Sequence, residues 1–509
     1  MAKTIMFQGT SSHVGKSILT TALCRIFRQD GYRVVPFKAQ NMALNSFVTP
    51  NGGEMGRAQV AQAEAAGLEP AVEMNPVLLK PTGNSRSQVI VMGKPIGMMS
   101  ASEYHAGHST KLLDVIKNCL DELQERFDIV VIEGAGSPAE VNLKANDIVN
   151  MRIALMVEAP VFLIADIDRG GAIASVVGTM SLLEPAEQER VQGIILNKFR
   201  GDINLLRPAF DIITAKTGKP VVGVIPHLAD IGIDDEDSVS LDDKKCSAGR
   251  ELDIAVLRLP KISNFTDFDA LSREPDVSLR YVREGETLGK PDLIILPGSK
   301  NTTEDLLYLQ KQGFVAEIRR LAEAGTPVVG ICGGYQMLGR KLADPLHTES
   351  SLDEIDGIGL IPSVTTFAAD KLTHQVYAKQ GERTFLDIAA NTEELCGYEI
   401  HMGRTEFAES ASPAFVILQR SGEPVECSDG FVSEDRRVMG TYMHGLFDND
   451  NYRRSLLDAL RRRKGLPELD RSAAVSYKEG KEAAYDRLAA LVRSNLDMDY
   501  VRRIMGLQA

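Results

Sequence analysis

The stretch Pro327-Val328-Val329-Gly330-Ile331-Cys332-Gly333-Gly334-Tyr335-Gln336-Met337-Leu338 decides how this chain is read. An apolar run after proline, then glycines, then a helix-compatible segment predicts a strand that turns sharply into a helix with Cys332 at the apex. In the pattern Gly-x-Cys-x-Gly, residues without a Cβ stand where a tight turn brings the chain close to itself, and the thiol is lifted to a helix N-terminus. The dipole there favours thiolate over thiol. A residue held in such a turn typically costs about 1–3 kcal/mol, which catalysis explains better than folding does. A lone cysteine is more often a buried, inert side chain. Glycines on both sides leave this one little to pack against.

A nucleophilic thiolate needs a proton carrier. Met439-Gly440-Thr441-Tyr442-Met443-His444-Gly445-Leu446-Phe447 supplies one, as a short apolar strand ending on His444. With these residues the chain resembles the class I, triad-type glutamine amidotransferases, in which a cysteine attacks the glutamine side-chain amide and a histidine shuttles the proton. The resemblance implies Cys332 and His444 as the catalytic pair and L-glutamine as a substrate. One position departs from it: the family usually carries Glu two residues after the histidine, and here Leu446 stands there, a departure shared by the cobyrinate-amidating branch. The orienting carboxylate is then absent or supplied from elsewhere, with Asp448 and Glu399 as possible substitutes and no ground for choosing either. The turn Pro297-Gly298-Ser299-Lys300-Asn301-Thr302 closes the preceding strand, and its backbone N–H groups, at Gly298, are expected to form an oxyanion hole with that of Gly333. His401, in the polar stretch Gly397–Thr405, reads as a structural histidine at a strand end.

A chain of 509 residues is too long for one hydrophobic core. Its net charge of −13 without a Lys/Arg cluster argues against a nucleic-acid partner. Six widely spaced cysteines with no C-x-x-C pair suggest neither a disulfide framework nor a zinc site, which fits a reducing cytoplasm. The most apolar span, Ile153 to Ala165, is interrupted by Glu158 and Pro160, so no membrane segment is expected.

At the N-terminus, Thr4 to Gln8 reads as a buried strand, followed by Gly9-Thr10-Ser11-Ser12-His13-Val14-Gly15-Lys16-Ser17 and then a helical period of Ile18, Leu19, Ala22, Leu23, Ile26 and Phe27. Strand, glycine-rich loop and helix make a phosphate loop for ATP: backbone N–H groups from Gly9 to Gly15 face the phosphates, Lys16 supplies the point charge and Ser17 can ligate Mg²⁺. Further strands are expected at Arg33–Phe37, Ile129–Ile132, Val161–Ala165, Ile194–Leu196 and Val221–Ile225, giving a doubly wound, mostly parallel α/β sheet with ligands at the carboxyl ends of its strands. Lys38, Glu133, Asp166, Asp168, Asn197 and Lys198 stand there.

The loop carries one residue more than G-x-x-x-x-G-K-[ST] allows, and in this it resembles the dethiobiotin synthetase-like enzymes. That likeness implies a substrate-side Lys38, a Mg²⁺-ligating Glu133 and an adenine-reading Asn197. Together the two halves resemble the cobyrinate-type glutamine amidotransferases with a dethiobiotin synthetase-like ATP domain, and the resemblance covers essentially the whole chain. It implies ATP- and glutamine-dependent amidation of four side-chain carboxylates of a corrinoid, adenosylcobyrinic acid a,c-diamide. The related enzymes that make the a,c-diamide are the alternative, disfavoured by His13-Val14 and by the long amide-rich run after Lys38. A partitioning-type ATPase switch is an alternative of another class, against which the Cys332/His444 pairing speaks. Within the run Gln40 to Gln62, the amides of Gln40, Asn41 and Asn45 are expected to hold the corrin rim, because an amide can donate to a carboxylate or accept from an amide. The expected division is an ATP-binding domain at 1–226, an acidic linker at 227–250, a glutamine amidotransferase domain at 251–451 and a C-terminal helical segment at 452–509. The sequence does not give the oligomeric state.

Overall fold

The computed structural model describes residues 2–83, 86–104, 111–228, 232–233, 249–389, 393–408, 411–470 and 476–507. The acidic run at 234–245 of the expected linker lies outside them. The chain forms two units: Met1–Met42 with Met55–Asp234 and Glu479–Ala509, and Ala43–Glu54 with Asp235–Lys478.

The first unit is built on a six-stranded parallel sheet in the order Val221–Pro226, Val191–Phe199, Val161–Asp166, Lys3–Gly9, Ile129–Glu133, Val34–Phe37. Ile129–Glu133 and Val161–Asp166 are buried at every position, as continuous apolar runs in a sheet covered on both faces must be. The five further strands expected from the apolar runs are all present. A smaller sheet of Gln40–Met42, Val77–Gly83, Arg86–Val91 and Lys94–Ser100 was not expected. The core joins Ile5, Phe7, Phe27 and Phe162 to Tyr485, Leu488, Val492 and Val501 from the end of the chain. Arg25 fixes the last long helix through Glu482 at 2.8 Å and Asp486 at 2.7 Å.

The second unit has its own sheet, in the order Val277–Val282, Leu252–Leu257, Leu293–Leu296, Val328–Ile331, Val438–Thr441, Phe431–Val432, parallel except for the last pair. Beside it stands a mostly antiparallel sheet organised on Ser363–Gln380 and Leu395–Phe407, which ends on Met443–His444. The sequence reading did not contain this sheet. It carries Tyr398, Glu399 and His401 up to His444.

Two features differ from the linear division. Ala43–Glu54 belongs to the second unit although the chain on either side of it belongs to the first, and the C-terminal segment is divided between the two. The helix Asp450–Arg463 stays with the second unit because its basic face answers buried acids. Arg454 pairs with Asp276 at 2.9 Å, Glu274 at 3.0 Å and Asp458 at 3.1 Å, and Arg461 reaches Asp276 at 3.0 Å. Asp276 is buried, yet Arg454 and Arg461 hold its carboxyl below the usual range against that burial. Removing one partner of such a network leaves an uncompensated charge. Arg454→Ala is therefore expected to destabilise the second unit by about 3–5 kcal/mol, read as a lower urea midpoint for its transition.

Candidate active sites

In the second unit, the strand Val328–Ile331 passes into the helix Gly333–Leu338 through Cys332, whose φ of 51° and ψ of −107° lie where side-chain-bearing residues are rarely found. The turn is held by the Cys332 N–H, which donates to Thr441 O at 2.8 Å. Glycine is required at the two positions that follow the thiol. A Cβ on Gly334 would collide with Leu296 O, and one on Gly333 would come within 2.8 Å of Ser299 N. The Gly298–Ser299 turn thus lies against Gly333, and a Cβ on Gly298 would stand 3.0 Å from His444 Cε1. The first N–H groups of the helix and this turn flank the thiol, whose Sγ is 3.5 Å from Ile400 O.

His444 Nδ1 donates to Asp267 Oδ2 at 2.7 Å, and the other carboxylate oxygen accepts from Gly445 N at 3.0 Å. Both side chains are buried, at 1% and 2% exposure. Burial alone would lower the pKa of His444, but Asp267 and Cys332 outweigh it and raise it to about 10. These contacts favour the protonated imidazole, beside the Cys332 sulfur. Asp267 is the orienting carboxylate that the sequence left unassigned, 177 residues before the histidine it serves. It sits on the short 3₁₀ helix Phe265–Phe268, which begins at Asn264 in a left-handed conformation. One signal could have found it: Ser263-Asn264-Phe265-Thr266-Asp267 is a polar cluster shortly after the strand Leu252–Leu257, at the carboxyl edge where parallel sheets place ligands.

Glu399 is not the substitute, because Arg420 engages both of its oxygens at 2.8 and 3.0 Å. Asp448 is not either, since Asp267 already takes Nδ1 of His444. His401 donates through Nδ1 to Gly403 O at 2.9 Å and stacks on Tyr442 at 3.7 Å. Burial lowers its pKa to about 4, so it stays neutral and cannot act as an acid near pH 7.

In the first unit, the loop after Lys3–Gly9 leads into the helix Lys16–Gln29. Lys16 Nζ donates to Ser11 O and to Gly136 O, each at 3.1 Å. Glu133 is the centre of the site: its carboxylate accepts from Ser17 Oγ at 2.9 Å, Lys38 Nζ at 2.8 Å and Gln62 Nε2 at 2.6 Å. Asn197 Nδ2 donates to Val14 O at 2.7 Å, and a side chain on Gly15, at φ 98°, would collide with that amide. Lys38 and Glu133 thus meet beside Ser17, and Asn197 contacts the phosphate loop itself at Val14.

Residues 5–239 match the family described as a CobQ/CobB/MinD/ParA nucleotide binding domain, and residues 253–452 match the CobB/CobQ-like glutamine amidotransferase domain. Over its whole length the chain is 57% identical to a protein of Pelotomaculum thermopropionicum named cobyric acid synthase, covering 97% of that protein. The chain belongs to the cobyric acid synthase family. Proteins of the same name from Desulforamulus reducens and Moorella thermoacetica are each 54% identical, across 100% of this chain and 99% and 98% of theirs.

Within the amide-rich run, the three amides expected at the corrin rim have different surroundings. Asn45, expected at the corrin rim, is fully buried in the second unit, where Thr266 Oγ1 donates to its Oδ1 at 3.4 Å. Asn41 is also buried, its Nδ2 on Gln59 Oε1 at 2.9 Å and its Oδ1 on the N–H of Met42 at 2.9 Å, so both ends of its amide are used internally. Gln40 keeps partial exposure, with Tyr104 OH donating to its Oε1.

Asp267→Asn is expected to lower the kcat for ammonia release from glutamine by about 10²-fold or more, because an amide can hold the wrong tautomer of His444. The pair also links stability to pH. With the histidine pKa raised from 6.5 to about 10, its contribution is fully present below pH 6.5 and lost as pH rises through about 10. Denaturation of the second unit across that range should show the loss in the wild type and a flatter profile in Asp267→Asn.

Proposed function

We propose that this chain amidates the four remaining side-chain carboxylates of adenosylcobyrinic acid a,c-diamide, using ATP and glutamine, in the cytoplasm. The carrying observation is that the likeness to proteins named cobyric acid synthase runs the full length of the chain, through both nucleotide-binding and amidotransferase domains. Cys332 Sγ attacks the glutamine carboxamide carbon. The oxygen then carries negative charge toward the N–H groups at Gly333 and the Gly298–Ser299 turn. His444 gives its proton to the leaving nitrogen, which departs as ammonia, and then takes a proton from the water that hydrolyses the thioester to glutamate.

In the nucleotide-binding unit, ATP phosphorylates a corrinoid carboxylate, and ammonia displaces phosphate from the acyl phosphate to leave the amide. Lys16 holds the β/γ-phosphates, Asn197 stands on the adenine side, and Lys38 with Gln40 faces the carboxylate to be activated. The Ser17 hydroxyl and the Glu133 carboxylate lie 2.9 Å apart, close enough to touch one ion. This suits Mg²⁺, which takes one or two protein oxygens and completes its shell with water and phosphate. Bound there, Mg²⁺ would neutralise phosphate charge.

Cys332→Ser should lose glutamine-dependent amidation while keeping activity with high ammonium, since only the source of ammonia is removed. Lys16→Ala should lose amidation with either nitrogen donor and can retain glutamine hydrolysis. A product assay with both donors checks the pair. Equal loss of both activities in Cys332→Ser, or ATP-dependent product from Lys16→Ala, would overturn the assignment.

A further inference from the structure

The segment Ala43–Glu54 interrupts the sequence of the nucleotide-binding domain, yet it is folded into the second unit. Its burial there is deep: Asn45, Ser46, Val48 and Glu54 have no exposed surface. Its contacts converge on one place. Ser46 N donates to Asn264 Oδ1 at 3.1 Å, and Thr266 Oγ1 reaches Asn45, so the segment grips the 3₁₀ helix that carries Asp267. Tyr398 OH reaches Ser46 O at 3.4 Å, and the Phe47 ring packs on Tyr398 with centroids 5.0 Å apart. Tyr398 in turn lies nearly flat on His444, with centroids 5.1 Å apart and planes 16° from parallel. Val48, Phe47, Tyr398 and Ile400 form one apolar cluster, and Ile400 O is the neighbour of the Cys332 thiol. Lys371 anchors the far end of the segment on Glu54.

An aromatic face attracts a cation laid over it and fixes its plane, whereas Asp267 bonds His444 only at one edge. We propose that Ala43–Glu54 is a working part of the glutaminase centre, in which Phe47 holds the Tyr398 ring flat against His444, so that Tyr398 and Phe47 are positioning residues for the proton carrier. Without the brace, the imidazole can turn about its bond to Asp267 and lose its aim at the thiol and the leaving nitrogen. The proposal rests on the assignment of Cys332 and His444 as the glutamine-hydrolysing pair.

The test uses the full chain with Phe47→Ala, Phe47→Leu, Tyr398→Leu and Tyr398→Phe. Three quantities are measured: ammonia release from glutamine, amidation supported by ammonium, and alkylation of Cys332 by iodoacetamide, followed on its own peptide by mass spectrometry. In the two Phe47 variants and in Tyr398→Leu, kcat for glutamine should fall about 10- to 100-fold with KM nearly unchanged. Cys332 alkylation should slow, and ammonium-supported amidation should stay at the wild-type rate. Tyr398→Phe, which keeps the ring, should restore glutamine hydrolysis. The proposal is overturned if the Phe47 variants hydrolyse glutamine like the wild type, or if glutamine and ammonium activities fall together. It is also overturned if Tyr398→Phe is as impaired as Tyr398→Leu, which decides the matter should the Phe47 variants fail to fold. A wild-type chain that releases ammonia from glutamine but never amidates the corrinoid would instead count against the proposed substrate.

Discussion

An imidazole that must take up a proton while buried as deeply as His444 needs a carboxylate against it, and the organisation of the second unit follows from meeting that need. Asp267 supplies the charge from a 3₁₀ helix, and both of its oxygens are taken up by His444 and the next N–H, so the carboxylate cannot rotate away. The antiparallel sheet brings Tyr398 to the ring face. The cysteine elbow is tied to the neighbouring strand by its own N–H, which holds the thiol in a conformation a free chain would leave. Strain at the nucleophile and charge at its partner are both carried by surrounding structure.

The nucleotide-binding unit solves a related problem with opposite means. Glu133 is almost wholly buried, and hydroxyl, ammonium and amide donors from Ser17, Lys38 and Gln62 surround it. Those donors come from the phosphate-loop helix, the end of a neighbouring strand and the helix after the amide-rich run. A change at any one of them is therefore felt at the carboxylate.

What could be read from the sequence divides along the range of the forces involved. The phosphate loop and the cysteine elbow were legible because a tight turn demands glycines at fixed spacing, and that demand is local. The parallel strands were legible because burial on both faces leaves continuous apolar runs. Asp267 was hidden because its role depends on a contact across 177 residues, which no periodicity records. The side-chain partners of Asn41 and Asn45 were hidden for the same reason: an amide has one appearance in a sequence whether it meets a ligand or another side chain. Of the three amides, Gln40 alone is partly exposed.

The chain changes unit at Met42/Ala43, Glu54/Met55, Asp234/Asp235 and Lys478/Glu479. Synthesis proceeds in one direction, so this threading sets an order of events. Tyr485, Leu488 and Val492, which close the core of the first unit, leave the ribosome only after Asp235–Lys478 has been made. At about 5–20 residues per second, that stretch takes on the order of 10–50 s. Throughout that interval the first unit presents an uncovered apolar face, while the segment from Ala43 to Glu54 waits for a host not yet translated. A gene split anywhere from Met55 to Lys478 would part the body of the first unit from its lid, and one from Met55 to Asp234 would also part the second unit from its insert.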